Sequence, residues 1–265
     1  MYLQSFFGEH NQPNPCASCK GDDRLDFEVR MAFQPIVDST SRSIYGYEAL
    51  VRGANGEGAG EVIGRVRPEQ LYRFDQTCRV KAIETAARLQ LSTKLSINII
   101  PNAVYQPATC IRLTLAAAER CNFDPTKLIF ELTESERMRD TAHVVGIVKD
   151  YQSRGFLTAI DDFGAGYAGL ALLADFQPDL VKLDMGLIRD IDTSPVRRTI
   201  VAGIVRTCVE LGCVVLGEGV ETVSEYRVLL GMGITLFQGY LFARPALEAL
   251  PEVDPATWDL LESAA

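Results

Sequence analysis

The sequence contains no run of about eighteen uncharged apolar residues, and its opening stretch, MYLQSFFGEHNQPNPC, has neither a basic flank nor an apolar segment. The first absence excludes a membrane-spanning helix and the second a secretory leader, so a cytoplasmic protein is expected. Basic residues are also short: 26 Lys and Arg stand against 35 Asp and Glu, a formal charge of −9. Such a balance excludes broad electrostatic binding to a nucleic-acid polymer or an anionic membrane. An anionic ligand would need metal ions or a local basic patch. Low-complexity tracts, heptads and short-period repeats are absent as well. Without an export signal, the seven cysteines read as reduced thiols, not as a disulfide framework. Five of them, Cys78, Cys110, Cys121, Cys208 and Cys213, stand in helical or apolar context and read as small buried hydrophobes.

What is present suits one large core: 265 residues, 47% of them hydrophobic and 23% charged, are enough for a single domain of α/β-barrel size. Residues 1–26 are polar, rich in Asn, Pro and Gly, and without periodicity, so they read as an irregular N-terminal extension, with the barrel occupying residues 27–265. Eight short apolar runs then alternate with longer helical segments: VRMAFQPIVD, SIYGYEALVR, KLSINIIP, KLIFELTE, FLTAIDDFG, LVKLD, CVVLGEGVE and TLFQGYLFARP. In PEQLYRFDQTCRVKAIETAARL, Pro68 suits the first helical position, and Leu71, Phe74, Cys78, Ala82 and Ala86 share one face. Strand and helix in such alternation predict a closed barrel of the TIM type, (β/α)8. Only STSR separates the first two strands, too short for a parallel crossover. The barrel is therefore expected to be irregular, with an antiparallel first strand.

In such a barrel the working residues sit at the carboxyl ends of the strands. Those ends carry Glu48, Asn98, Glu131, Asp161, Asp162, Lys182, Glu218 and Gln238. Taken singly, each carboxylate reads as a helix N-cap or a solvated loop residue, and Lys182 as a surface lysine pairing Asp184. Taken together, five carboxylates at one barrel mouth would repel one another unless cations shared the space. Oxygen donors of this kind suit magnesium or manganese. Adjacent Asp161 and Asp162 allow one carboxylate to bridge two ions while its neighbour binds the second, and two ions roughly 3.5–4 Å apart suit an in-line phosphoryl displacement. Lys182 would orient the attacking water or take its proton. Glycines 164, 166 and 169 in DDFGAGYAGL suit a mobile gating loop.

In order, Gln34-Pro35 in FQPIVD, Glu48 to Arg52, Asn98 to Pro101, Glu131 to Glu134, DDFGAG, Lys182-Leu183-Asp184, EGVE and QGYLFARP resemble the EAL family of cyclic-di-GMP phosphodiesterases over roughly residues 30–248. The resemblance implies hydrolysis of cyclic di-GMP to linear pGpG. It implies one cation held by Glu48, Asn98, Glu131 and Asp161, and a second by Asp161, Asp162 and Glu218, the last directly or through water. Magnesium or manganese is expected to support the reaction, and calcium to bind without supporting it. Lys182 or Glu218 would deprotonate the water. Gln34, Leu50, Arg52, Asp184, Gln238 and Pro245 would contact the dinucleotide, Arg52 at a phosphate. Glu134 would steady the Gly-rich loop and Glu221 would support the lysine. A homodimer through the helix after that loop is expected, with a sensor or GGDEF domain as a partner in trans. Ala165, Ala168 and Gly169 depart from the family's usual residues there and bear on loop stability, not on the ligands.

Two rival readings stay open. Some members of such a family act without catalysis, as receptors for the dinucleotide or as protein-binding modules, usually with a broken ligand set, whereas every ligand is present here. His10, Cys16 and Cys19 could bind zinc or sense redox state, but one CxxC supplies two of the four ligands of a structural zinc site.

Overall fold

The computed structural model describes residues 25–104, 106–133, 141–166 and 169–262. His10, Cys16, Cys19 and Glu134 lie outside them. The chain runs β1 (Val29–Asp38), β2 (Ser43–Gly53), α1 (Ala59–Ile63), α2 (Leu71–Arg88), β3 (Lys94–Ile99), α3 (Pro107–Cys110), α4 (Arg112–Arg120), β4 (Leu128–Thr133) and α5 (Thr141–Ser153). It continues through β5 (Leu157–Phe163), α6 (Gly169–Asp175), β6 (Leu180–Leu183), α7 (Met185–Ile188), α8 (Pro195–Glu210), β7 (Val214–Gly217), α9 (Val223–Gly231), β8 (Leu236–Phe237), β9 (Ala246–Leu247) and α10 (Pro255–Glu262). Strands β2 to β8 pair in sequence order, all parallel, and β1 closes the ring between β8 and β2, antiparallel to both. This is the irregular α/β barrel expected from the short β1–β2 connection. No helix of the described residues is long and apolar enough to cross a membrane.

All eight sequence-derived strands are present, but the last is much shorter than the run TLFQGYLFARP. Strand β8 ends at Phe237 because the following chain bonds to the loop after β7: Val220 N–H donates to Gln238 O at 3.1 Å and Leu241 N–H to Val220 O at 3.1 Å. Gly239 lies so close to that loop that a Cβ there would stand 2.0 Å from Val220 O, so only glycine fits. The two-residue β9, which the sequence did not mark, pairs with β1 at Ala32 and Phe33.

Apolar side chains form three groups, of which a small one of Val29, Val62, Val66 and Phe74 packs α1 and α2 against the start of β1, and the other two define the barrel. The larger packs the helices against the outside of the barrel. The smaller lies within it, where Ile36, Ile129, Ala159, Leu180, Leu216 and Leu236, one from each of six strands, form a closed layer. Since strand side chains alternate with period two, the next inward position of each parallel strand is Glu131, Asp161, Lys182, Glu218 and Gln238. On antiparallel β1 the same level is reached two residues earlier, at Gln34. One apolar floor thus carries a polar layer directly above it.

Helix α2 follows a 3-10 turn begun by Pro68. Its buried face includes Phe74, Ala82 and Ala86, as the periodicity predicts, but also Asp75, Gln76 and Arg79.

Candidate active site

The polar layer brings the carboxylates into two overlapping groups. Ligand oxygens of Glu48, Glu131 and Asp161 lie within 4.8 Å of one another, and so do those of Asp161, Asp162 and Glu218. Asp161 belongs to both. Consecutive residues of a regular strand face opposite ways, so Asp161 and Asp162 share a cavity only because β5 is irregular there. The β5–β6 register shifts between Ile160 and Phe163, and Asp162 takes φ 54°, a left-handed conformation that non-glycine residues avoid and that clusters at functional sites.

Lys182 stands at the centre, 1% exposed, with Nζ 2.7 Å from Glu218, 2.9 Å from both Glu131 and Asp161, and 3.6 Å from Glu48. It is no surface partner of Asp184, whose carboxylate instead caps α7 by accepting from Gly186 N–H at 2.8 Å. Asn98 Nδ2 donates to Glu48 Oε1 at 2.8 Å, and Gln238 Nε2 donates to Glu48 Oε2 at 2.8 Å and to Gln34 Oε1 at 3.1 Å. An amide that donates through nitrogen keeps its oxygen as an acceptor for a cation. Gln34 Nε2 reaches Ala243 O at 3.2 Å. The sequence reading missed Ser96, whose buried hydroxyl donates to Glu131 Oε1 at 2.5 Å. Its signal was available, since it precedes Asn98 by two residues on the same face of β3.

Gln34, Glu48, Leu50, Asp161, Asp162, Asp184, Glu218, Glu221 and Gln238 line a cleft of about 360 Å³. Met185, Gly219 and Tyr240 also line it, and none of them was singled out from sequence. Tyr240 is exposed, with the Arg244 guanidinium 4.1 Å over its ring. Arg52 and Pro245 are not among the lining residues, and Arg52 Nη1 donates to Val51 O at 2.8 Å. Glu221 does not stand beside Lys182 as the resemblance implied. Its carboxylate pairs Arg189 at 2.7 and 2.9 Å, because Glu225 accepts from Glu221 N–H at 3.0 Å and fixes the loop in that direction.

Five carboxylates surround one ammonium, which pairs four of them, and the electrostatics follow from that shortage. Burial pulls the Lys182 ammonium down, but Asp161, Glu131, Glu218 and Glu48 outweigh it and hold it well above the ordinary lysine range. Burial pushes the Glu131 and Glu218 carboxyls well up; Asp161 adds to the rise at Glu218, and Lys182 opposes it at both without cancelling it. Burial, Asp161 and Asp184 push Asp162 up to about 6. Hard oxygen donors, close enough to share ions and short of positive charge, fit divalent cations of the magnesium and manganese kind.

A pH dependence follows, with its sign fixed by these shifts. Carboxyls raised in the folded state stabilise the metal-free fold below their unfolded values and lose that contribution as pH rises through their folded values. For Asp162 the window runs from about 4 to 6, and Glu131 and Glu218 extend it upward. Cations require the ionised form. The melting-temperature gain on adding Mn2+ is therefore expected to grow from pH 6 to pH 8. At pH 8 and a hundredfold excess over Kd the gain is about 2.7 kcal/mol, or roughly 5–10 °C. Thermal melts with and without Mn2+ would contradict this if the gain were the same at both pH values.

Comparison with known proteins gives these residues a context. The chain matches the EAL domain family over residues 24–245. It is 52% identical to a standalone versatile EAL protein from Vibrio cholerae O395, solved bound to c-di-GMP, with a TM-score of 0.86 covering 88% of this chain and 99% of that one. Klebsiella pneumoniae BlrP1, solved as a manganese and cyclic-diGMP complex, is 36% identical with a TM-score of 0.81, covering 88% of this chain and 60% of that one; it is also solved with calcium. The blue light- and temperature-regulated antirepressor BluF of Escherichia coli is 34% identical over 223 residues, 84% of this chain, which spans about half (55%) of its length. Other curated relatives are named cyclic di-GMP phosphodiesterases, and this chain covers still less of them. With Glu48, Ala49 and Leu50 on the strand that carries the first of the clustered carboxylates and the family model matched over residues 24–245, the chain belongs to the EAL domain family.

Proposed function

We propose that this chain is a cytoplasmic, metal-dependent phosphodiesterase that hydrolyses cyclic di-GMP to linear pGpG. The observation that carries this reading is the shared carboxylate: Asp161 joins two oxygen-ligand groups at the closed end of a cleft. Glu48, Asn98, Glu131 and Asp161 would hold one cation, and Asp161, Asp162 and Glu218 a second. Magnesium or manganese, when bound, supplies Lewis acidity and neutralises charge at the phosphate. Calcium would occupy the site without supporting turnover, being larger and looser in geometry.

The chain's own groups do the rest. Lys182, its Nζ within 2.9 Å of Glu131, Asp161 and Glu218, would act as a donor that orients the attacking water. Glu218, raised by burial and by Asp161, is suited to receive the water's proton. The water oxygen bonds to phosphorus and the bond from phosphorus to the 3′ oxygen breaks, leaving a 5′-phosphate and a free 3′-hydroxyl. Gln34, Leu50, Asp184 and Gln238 contact the dinucleotide within the cleft, while Arg52 and Pro245 reach it from outside the lining. Exposed Leu170, Val196 and Ile200 on α6 and α8 would be covered in a homodimer, and a sensor or GGDEF domain would act in trans.

A second reading follows from the antirepressor relative: a receptor or protein-binding module that does not turn over. The complete oxygen-ligand set favours hydrolysis. Chromatography of cyclic di-GMP incubated in magnesium, manganese or calcium tests both, with Glu48→Ala as control. Release of pGpG in magnesium or manganese, absent in calcium and in the variant, is the expected result. Tight metal-dependent binding without product would make the chain a receptor.

A further inference from the structure

Outside the barrel wall, behind the metal ligands, lies a second set of buried charges. Asp75 and Arg79, one turn apart on α2, form an ion pair of 2.7 Å with side chains 1% and 0% exposed. Burying two charges costs several kcal/mol per ion, and an apolar pair of the same volume is commonly as stable or more so. Burial indeed pushes the Asp75 carboxyl up despite its partner. Stability alone therefore does not account for charges at these two positions.

Their contacts do. Asp75 Oδ1 accepts from Ile100 N–H at 3.0 Å, just past the end of β3 and two residues after Asn98. That bond terminates the strand and starts the turn at Pro101, so it sets where the last inward side chain of β3 is aimed. Asn98 is that side chain, and it donates to Glu48. Arg79 Nη1 donates to the Tyr151 hydroxyl on α5 at 3.1 Å, and its guanidinium lies 6.0 Å from the Phe130 ring centroid. Phe130 packs on Tyr151 with centroids 4.8 Å apart, and the residue after it in β4 is Glu131. One ion pair thus braces the backbone beside two ligands on adjacent strands, while touching neither ligand.

We propose that Asp75 and Arg79 are positioning residues for the metal centre, holding Asn98 and Glu131 at the spacing that a divalent cation requires. The proposal rests on the reading of the carboxylate cluster as a metal site, and the wild-type arm of its test examines that reading separately. Mn2+ affinity is measured by calorimetry or electron paramagnetic resonance without substrate, alongside melting temperature in EDTA. The apolar pair Asp75→Leu/Arg79→Met is expected to melt within a few degrees of wild type yet bind the tighter Mn2+ roughly 10- to 100-fold more weakly, the usual effect of removing an outer support from a metal ligand. Asp75→Asn/Arg79→Gln keeps an acceptor for Ile100, so it folds even if the apolar pair does not, and a smaller loss, about tenfold, at the low end of that range, is expected. Either folded pair binding Mn2+ within twofold of wild type overturns the proposal. A wild-type chain that binds no Mn2+ at millimolar concentration overturns the metal-site reading itself.

Discussion

Asp161→Asn abolishes turnover and leaves at most one Mn2+ bound per chain. Asp161 is the one carboxylate common to both ligand groups, so its loss removes a charged donor from each. Hydrolysis is expected to fall by at least on the order of 10³-fold, the scale seen when a group stabilising transition-state charge is deleted. The fold should not suffer, because Lys182 retains Glu131, Glu218 and Glu48, and one source of repulsion is gone. The melting temperature in EDTA at pH 8 is thus expected to equal or exceed that of wild type. Two Mn2+ ions bound with unchanged affinity, counted by calorimetry, would refute the shared-ligand arrangement.

Lys182→Met separates catalysis from metal binding. The variant loses the donor to the attacking water, and turnover is expected to drop by about 10²–10⁴-fold. It also leaves four carboxylates without their common ammonium in a buried site. Breaking a buried ion pair in this way costs about 3–5 kcal/mol, so the metal-free protein melts well below wild type at pH 8. Mn2+ then restores stability, and binds more tightly than to wild type because no resident cation competes for the same oxygens. Melting curves with and without Mn2+ check this directly. Equal stability in EDTA would mean that the lysine does not balance the cluster.

Much of this was legible in the sequence, for identifiable reasons. Four intervening residues could not carry a parallel crossover, so the antiparallel β1 followed from chain length alone. Polar residues ending apolar runs marked the inward layer, because period two places Glu131 above Ile129 and Glu218 above Leu216. What escaped were features decided by distant partners. The left-handed turn at Asp162 has no local signature in Asp-Asp-Phe-Gly, although it is what joins the two aspartates in one site. Glu221 follows Arg189 because Glu225 orients its backbone, a constraint from the next helix. Asp75 and Arg79 stood in plain view within an amphipathic helix, but period alone does not reveal that charged residues occupy its buried face.

The reversed direction of β1 also decides where an attached domain would arrive. Because Val29 pairs with Gly53 at the carboxyl end of β2, the polypeptide enters the barrel at the rim that bears the carboxylates. Its other end leaves from the opposite side: Arg42, in the turn below β1 and β2, pairs Glu262 at 2.7 Å. A module that gripped the chain at Val29 would act beside the mouth of the cleft, on the loops that frame it. One joined after residue 262 would lie across the full height of the barrel, and would have to signal through its wall.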